Sequence, residues 1–208
     1  MTKLKHANGN HPLTEQEKQN MIEEAAVHYG NYMTALGFDW REDPNSSDTP
    51  IRVAKAFVND LASGVYSKSP KITAFDNIDG YDGVVFQGNI TVHSFCSHHH
   101  LPFIGKAHVA YISTGKVIGL SKINRLVDYY ARRPQVQERL TLQIADALAD
   151  AMGTDDVAVF IDSKHLCVST RGIRDISSST ITSEFRGAFK NKDIQQKFID
   201  FIKTDTDL

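Results

Sequence analysis

The sequence predicts an α+β fold built on an antiparallel sheet. Two helix-period patterns come first, before any strand signal. The β-rich runs then fall in clusters and do not alternate one for one with helices. A second pair of helical patterns separates those clusters, giving the order αα, βββ or ββ, αα, βββ, α.

Residues 1 to about 12 are polar and are expected to be weakly held. Thr14 with Glu17 forms a capping box. Ile22, Ala25, Ala26, Tyr29, Met33 and Leu36 then share one helical face, with Gly37 as the stop. Residues 39–48 form a loop rich in Asp, Asn, Ser and Pro. Thr49-Pro50 provides an N-cap followed by proline, and Val53, Phe57, Val58 and Leu61 line the next helix up to Gly64. Val84-Val85-Phe86 and Ile90-Thr91-Val92 are strand-like, as are residues 106–112. Gly115-Lys116 fits a turn. Ser121 is placed to cap a helix carrying Ile123, Leu126, Val127 and Tyr130. Pro134 interrupts that helix and starts another, with Val136, Leu140, Ile144, Ala147, Leu148 and Ala151 on one face and Gly153 at its end. Residues 157–161, 166–173 and 180–185 are expected as strands, and 192–203 as a final helix.

The chain has 208 residues, enough for one cored domain with an appendage. The division expected is a tail and helical region over 1–66 and a sheet-bearing catalytic domain over 67–208. A formal net charge of −2 argues against a general nucleic-acid-binding surface. The N-terminus lacks an apolar signal core, and no apolar run reaches membrane-spanning length. Two cysteines make no disulfide framework, and a reducing cytoplasm suits them.

Cys96-Ser97-His98-His99-His100 carries the chemistry, together with the other cysteine, Cys167. The C-x-x-H spacing of Cys96 and His99 lets two side chains close on one ion from a tight turn. Cys167, in Lys164-His165-Leu166-Cys167, offers a third ligand. His100 is an alternative third ligand, and burial or a disulfide is the bland reading of the two cysteines. Two thiolates and one imidazole suit Zn²⁺ and leave one tetrahedral position, the catalytic pattern. His98 and His165 lie beside these ligands as proton carriers, so hydrolysis is indicated. His93 and His108 fit packing or surface roles in strands, and His6, His11 and His28 have no site role. Lys122 and Arg125 share a helix face near a helix start, where phosphate can be held. Glu138 can accept from both N–H groups of an amidine edge such as guanine's.

Five ordered segments resemble the GTP cyclohydrolase I family. They are Cys96-Ser97-His98-His99, Gly119-Leu120-Ser121-Lys122-Ile123-Asn124-Arg125, residues Arg133 to Thr141, His165-Leu166-Cys167, and residues Thr170 to Asp175. The resemblance runs from about Thr49 to Lys190. It implies a tunnelling (T-fold) architecture: a four-stranded antiparallel sheet with two long helices on one face, beside an N-terminal helical region. It implies a homodecamer of two stacked rings with active sites between subunits. It implies Zn²⁺ on Cys96, His99 and Cys167, which decides against His100, and catalytic roles for His98 and His165. Glu138, aided by Gln137, is implied to bind guanine, and Ser121 to lie near the ribose. Lys122, Arg125 and Arg171 are implied to contact the triphosphate, and Arg52 to reach a neighbouring subunit's site. The implied reaction converts GTP and water to 7,8-dihydroneopterin triphosphate and formate, opening pterin and tetrahydrofolate synthesis. Ser97 departs from the family's usual Glu, which changes local charge without removing a ligand. Two other readings are a non-catalytic zinc-stabilised assembly protein and a T-fold nitrile reductase.

Overall fold

The computed structural model describes residues 4–204. The chain divides into two compact units, Met1–Ser69 and Pro70–Leu208. No helix among the described residues is long and apolar enough to cross a membrane.

The first unit is helical. Its longest helix, α1 (Glu15–Ala35), starts on the expected capping box. The Glu17 backbone N–H donates to the Thr14 hydroxyl, and the Glu17 carboxylate accepts from the Thr14 backbone N–H. Gly37, at φ 80°, follows its C-cap, a left-handed position that glycine takes without strain. After α2 (Thr49–Ala56) come a π turn (Phe57–Leu61) and α3 (Ser63–Tyr66). Thr49 is the first helical residue and not the cap, and Gly64 lies inside α3 and does not end the helix before it. Ile22, Ala54 and Val58 are the buried centre of this unit, whereas Leu36 is exposed.

The second unit carries two sheets. A small one pairs β1 (Ala74–Asp76) with β4 (Lys116–Ile118) antiparallel. The large one has the order β5-β2-β3-β6-β7. Its strands are β2 (Val84–Cys96), β3 (Pro102–Ile112), β5 (Pro134–Gln135), β6 (Val157–His165) and β7 (Thr180–Phe185). The β2–β3, β3–β6 and β6–β7 pairs are antiparallel, while β5 joins β2 in parallel. The sheet is therefore mixed and five-stranded, where a purely antiparallel four-stranded one was expected.

The two β-rich runs around residue 88 are one strand. Its ladder to β3 shifts register between Gln87 and Ile90, where Asn89 takes φ 52°. An extra residue left out of the ladder explains the break in the sequence pattern. Residues 166–173 are not a strand. After β6 the chain makes a single helical turn, α6 (Leu166–Ser169). The Thr170 hydroxyl donates back to the Leu166 carbonyl at 2.6 Å, a bond four residues back that a helical turn makes and a strand does not.

Both faces of the large sheet are covered, which is why β3 is buried without alternation from Ala107 to Tyr111. Val109, Tyr111, Val159 and Ile161 meet Ile123, Leu126 and Val127 of α4 (Leu120–Ala131) and Leu140, Ile144 and Leu148 of α5 (Gln137–Met152). Ala110 and Ala158, one pleat step away, meet Phe198 of α7 (Lys192–Thr204) and Phe189 of the 3-10 turn Gly187–Lys190. His108 is a packing histidine on that second face, between the rings of Phe86 and Phe160. His93 is exposed.

Gly105 marks a close approach of β3 to β6. A Cβ there would meet the Asp162 carbonyl oxygen and the Ser163 side chain. Gly105→Ala is expected to destabilise the protein by about 1–3 kcal/mol, the usual cost of overpacking. The expected signature in thermal denaturation followed by circular dichroism is a lower midpoint. An unchanged midpoint would mean that the two strands part there at no cost.

Candidate metal centre and active site

The site is built at one end of the large sheet, where β2, β6 and the start of α5 come together. β2 ends on Cys96. A tight turn through Ser97, His98 and His99 follows, closed by His100 N–H donating to the Cys96 carbonyl and Cys96 N–H donating to the Leu101 carbonyl, both at 2.9 Å. His100 takes φ 53° in this turn and sets its ring edge-on to Phe95. Its place is thus a turn position, outside the thiol cluster.

β6 ends on His165, and α6 then carries Cys167. Ligand atoms of Cys96, His165 and Cys167 lie within 4.8 Å of one another. Two thiols and an imidazole are the donor chemistry of a zinc site. Burial pushes the Cys167 thiol above its ordinary pKa, and the neighbouring Cys96 adds to this, with Arg171 opposing. A dication would reverse that balance by stabilising both thiolates, so the residues present fit a bound metal.

The structure places in the thiol cluster an imidazole that the sequence reading left outside the ligand set. His165 is there, while His99 Nε2 lies 2.8 Å from the Arg171 guanidinium. A guanidinium only donates, so the His99 Nε2 lone pair accepts from Arg171, and in the neutral ring the proton is on Nδ1. His98 Nδ1 is 3.5 Å from the Cys96 sulfur.

His165 is held on two sides. Its ring stacks on Phe103 at 4.6 Å and 10°, and its Nε2 lies 2.8 Å from Gln137 Oε1. Burial lowers its pKa, opposed by the carboxylate of Glu138. Glu138 and Gln137 open α5. They are brought here by β5, whose Gln135 pairs with Cys96 and accepts the Ser97 N–H at 2.8 Å.

The remaining expected site residues are more dispersed. Ser121, Lys122 and Arg125 lie on the first turns of α4, which starts from Gly119, so Ser121 is a helical residue and not the cap. Among the described residues, none of the three hydrogen-bonds to the thiol cluster. Arg52 belongs to the first unit and pairs with Asp48 at 3.1 Å. The sequence reading missed Phe103, Thr141 and Thr182. Thr141 lies one helical turn from Gln137, a spacing visible in sequence, but the contacts of Phe103 and Thr182 depend on strand register.

The model of the family described as GTP cyclohydrolase I matches residues 25–203. A Flavobacterium johnsoniae protein named GTP cyclohydrolase 1 is 53% identical over 195 residues, covering 93% of this chain and 86% of that one. An Aeromonas salmonicida protein of the same name is 45% identical, covering 92% of this chain and 87% of its own length. One from Tolumonas auensis is 46% identical over 86% of this chain and 82% of its own. With those similarities spanning nearly the whole chain, and the thiol–imidazole cluster within the matched region, the chain belongs to the GTP cyclohydrolase I family.

Proposed function

We propose that this chain converts GTP and water to 7,8-dihydroneopterin triphosphate and formate, the entry step to pterins and tetrahydrofolate. One observation carries the reading most directly: Cys96, His165 and Cys167 are gathered within 4.8 Å, beside the helix start that bears Glu138.

Zinc on Cys96, His99 and Cys167 is part of this proposal, supported by the C-x-x-H turn and the paired thiols. When bound, it supplies Lewis acidity that makes hydroxide available near neutral pH. The chain's own residues do the rest. Glu138 accepts from guanine N1–H and the 2-amino group, helped by the Gln137 backbone. His98 and His165 move protons as water adds at C8, N7 is protonated and the imidazole ring opens. A second hydrolytic step releases C8 as formate, and the opened ribose then rearranges and closes into the pterin. Ser121 lies near the ribose, and Lys122, Arg125 and Arg171 hold the triphosphate. Recognition at both ends fixes the reacting atoms between them.

The same proposal covers assembly and setting. The antiparallel run β2-β3-β6-β7, with α4 and α5 packed on one face, supports a T-fold. β7 pairs only with β6 among the described residues. An edge of this kind calls for a partner strand, supporting rings and a homodecamer in which Arg52 serves a neighbouring subunit's site. The free cysteines suit a reducing cytoplasm.

The test is incubation of purified protein with GTP, with fluorescence detection of the oxidised pterin and a formate assay. Product from GTP and little from ATP is expected, since adenine has an acceptor at N1 and no 2-amino donor. Glu138→Gln is expected to lose most GTP turnover, because an amide cannot accept both bonds in the same way. Normal turnover in that variant would make Glu138 a surface residue only.

A further inference from the structure

We infer that the side chain of Gln137 is a positioning residue for His165, holding its imidazole as the Nε2–H tautomer, with Nδ1 the unprotonated nitrogen of the neutral ring. The inference deepens the cyclohydrolase reading and rests on it for the meaning of Nδ1.

Gln137 is 1% exposed, so its amide cannot turn to water for partners. Its Nε2 lies 3.1 Å from the Ile161 carbonyl, 2.8 Å from the Thr180 carbonyl and 3.1 Å from Thr182 Oγ1. Two of these three are main-chain carbonyls, which only accept. Turning the amide over would set Oε1 against both of them and leave buried polar groups unsatisfied. The amide nitrogen is therefore fixed on β6 and β7, and Oε1 is fixed toward His165.

Oε1 can only accept, and it lies 2.8 Å from His165 Nε2. The proton of that bond must come from the ring, so Nε2 carries it. In the neutral imidazole Nδ1 is then the unprotonated nitrogen. The Phe103 ring, stacked at 4.6 Å, keeps the imidazole plane from rotating out of this bond. Thr141 supports the arrangement from behind: its hydroxyl donates to the Gln137 carbonyl at 2.9 Å or shares a hydrogen bond with Thr182 Oγ1 at 2.7 Å.

This assignment separates two roles at adjacent positions. Glu138 is exposed and free to meet a base. The Gln137 side chain is committed to protein partners and does not recognise substrate.

The test uses the zinc-loaded, full-length protein labelled with ¹⁵N-histidine. Long-range ¹H–¹⁵N spectra report which ring nitrogen bears the proton, with the His165 signals identified by their loss in His165→Asn. Wild type is expected to show the proton on Nε2. Gln137→Met, similar in length but without the amide, is expected to show a mixture of tautomers. Its kcat should fall about 10–100-fold, the usual cost of losing a partner that orients an active-site imidazole, with KM for GTP unchanged. A wild-type proton on Nδ1, or tautomers unchanged in Gln137→Met, would overturn the inference. So would a raised KM with unchanged kcat, which would return the side chain to base recognition. If Gln137→Met does not fold, the wild-type spectrum decides by itself. If GTP proves not to be a substrate, the spectra still stand, so the two failures are distinguishable.

Discussion

Cys167→Ala is expected to lose bound zinc and cyclohydrolase activity together. The chain has only two cysteines, and the proposed site uses both, so alanine leaves one thiolate and one imidazole. Two ligands are too few for the three-ligand catalytic pattern. Cys167 is half-buried at the margin of the main core, so the fold itself is expected to survive. Zinc content by atomic emission, product fluorescence and a circular dichroism spectrum on the same sample make the measurement. A folded variant with a full complement of zinc would remove Cys167 from the site.

His165→Ala and His98→Ala are expected to keep zinc and to lose on the order of 10²–10⁴ in rate, the range for removal of a general acid or base. His99→Ala is expected to lose the metal. The three variants separate ligands from proton carriers, a distinction to which the place of His165 within the thiol cluster lends weight. Zinc loss in His165→Ala with retention in His99→Ala would make His165 the ligand and His99 a partner of Arg171. Zinc loss in His98→Ala with retention in His99→Ala would mean that the roles of those two are reversed.

Much of this was legible in the chain because it depends on local chemistry. The Thr14–Glu17 cap, the helix periods of α1, α4 and α5, and the Cys96 turn each lie within a few residues. What escaped depends on distant segments. The helix period sets Gln137 on the face of Leu140, Thr141 and Ile144, but its partners, carbonyls of β6 and the start of β7, lie far along the chain and were not legible. The place of His165 in the thiol cluster likewise follows from the position of β3 between β2 and β6. β1, β4 and β5 are two or three residues long, too short to show a period. The α6 turn has strand-like composition, and it is revealed by bonds four residues back, from the Thr170 N–H and hydroxyl to the Leu166 carbonyl.

The two-residue strand β5 has a consequence for what lengths the chain tolerates. It pairs Gln135 with Cys96, and α5 starts after a single intervening residue, Val136. One residue inserted there would advance the helix by about 1.5 Å and turn it by about 100°. Gln137 would then take the outward place of Glu138, and the inward place facing the two carbonyls would pass to the residue before it, leaving them without the amide donor. The joint therefore works as a reading frame for the site, intolerant of slippage by even one residue. Insertions are admissible instead in exposed stretches such as residues 78–80, where no helix phase depends on the count.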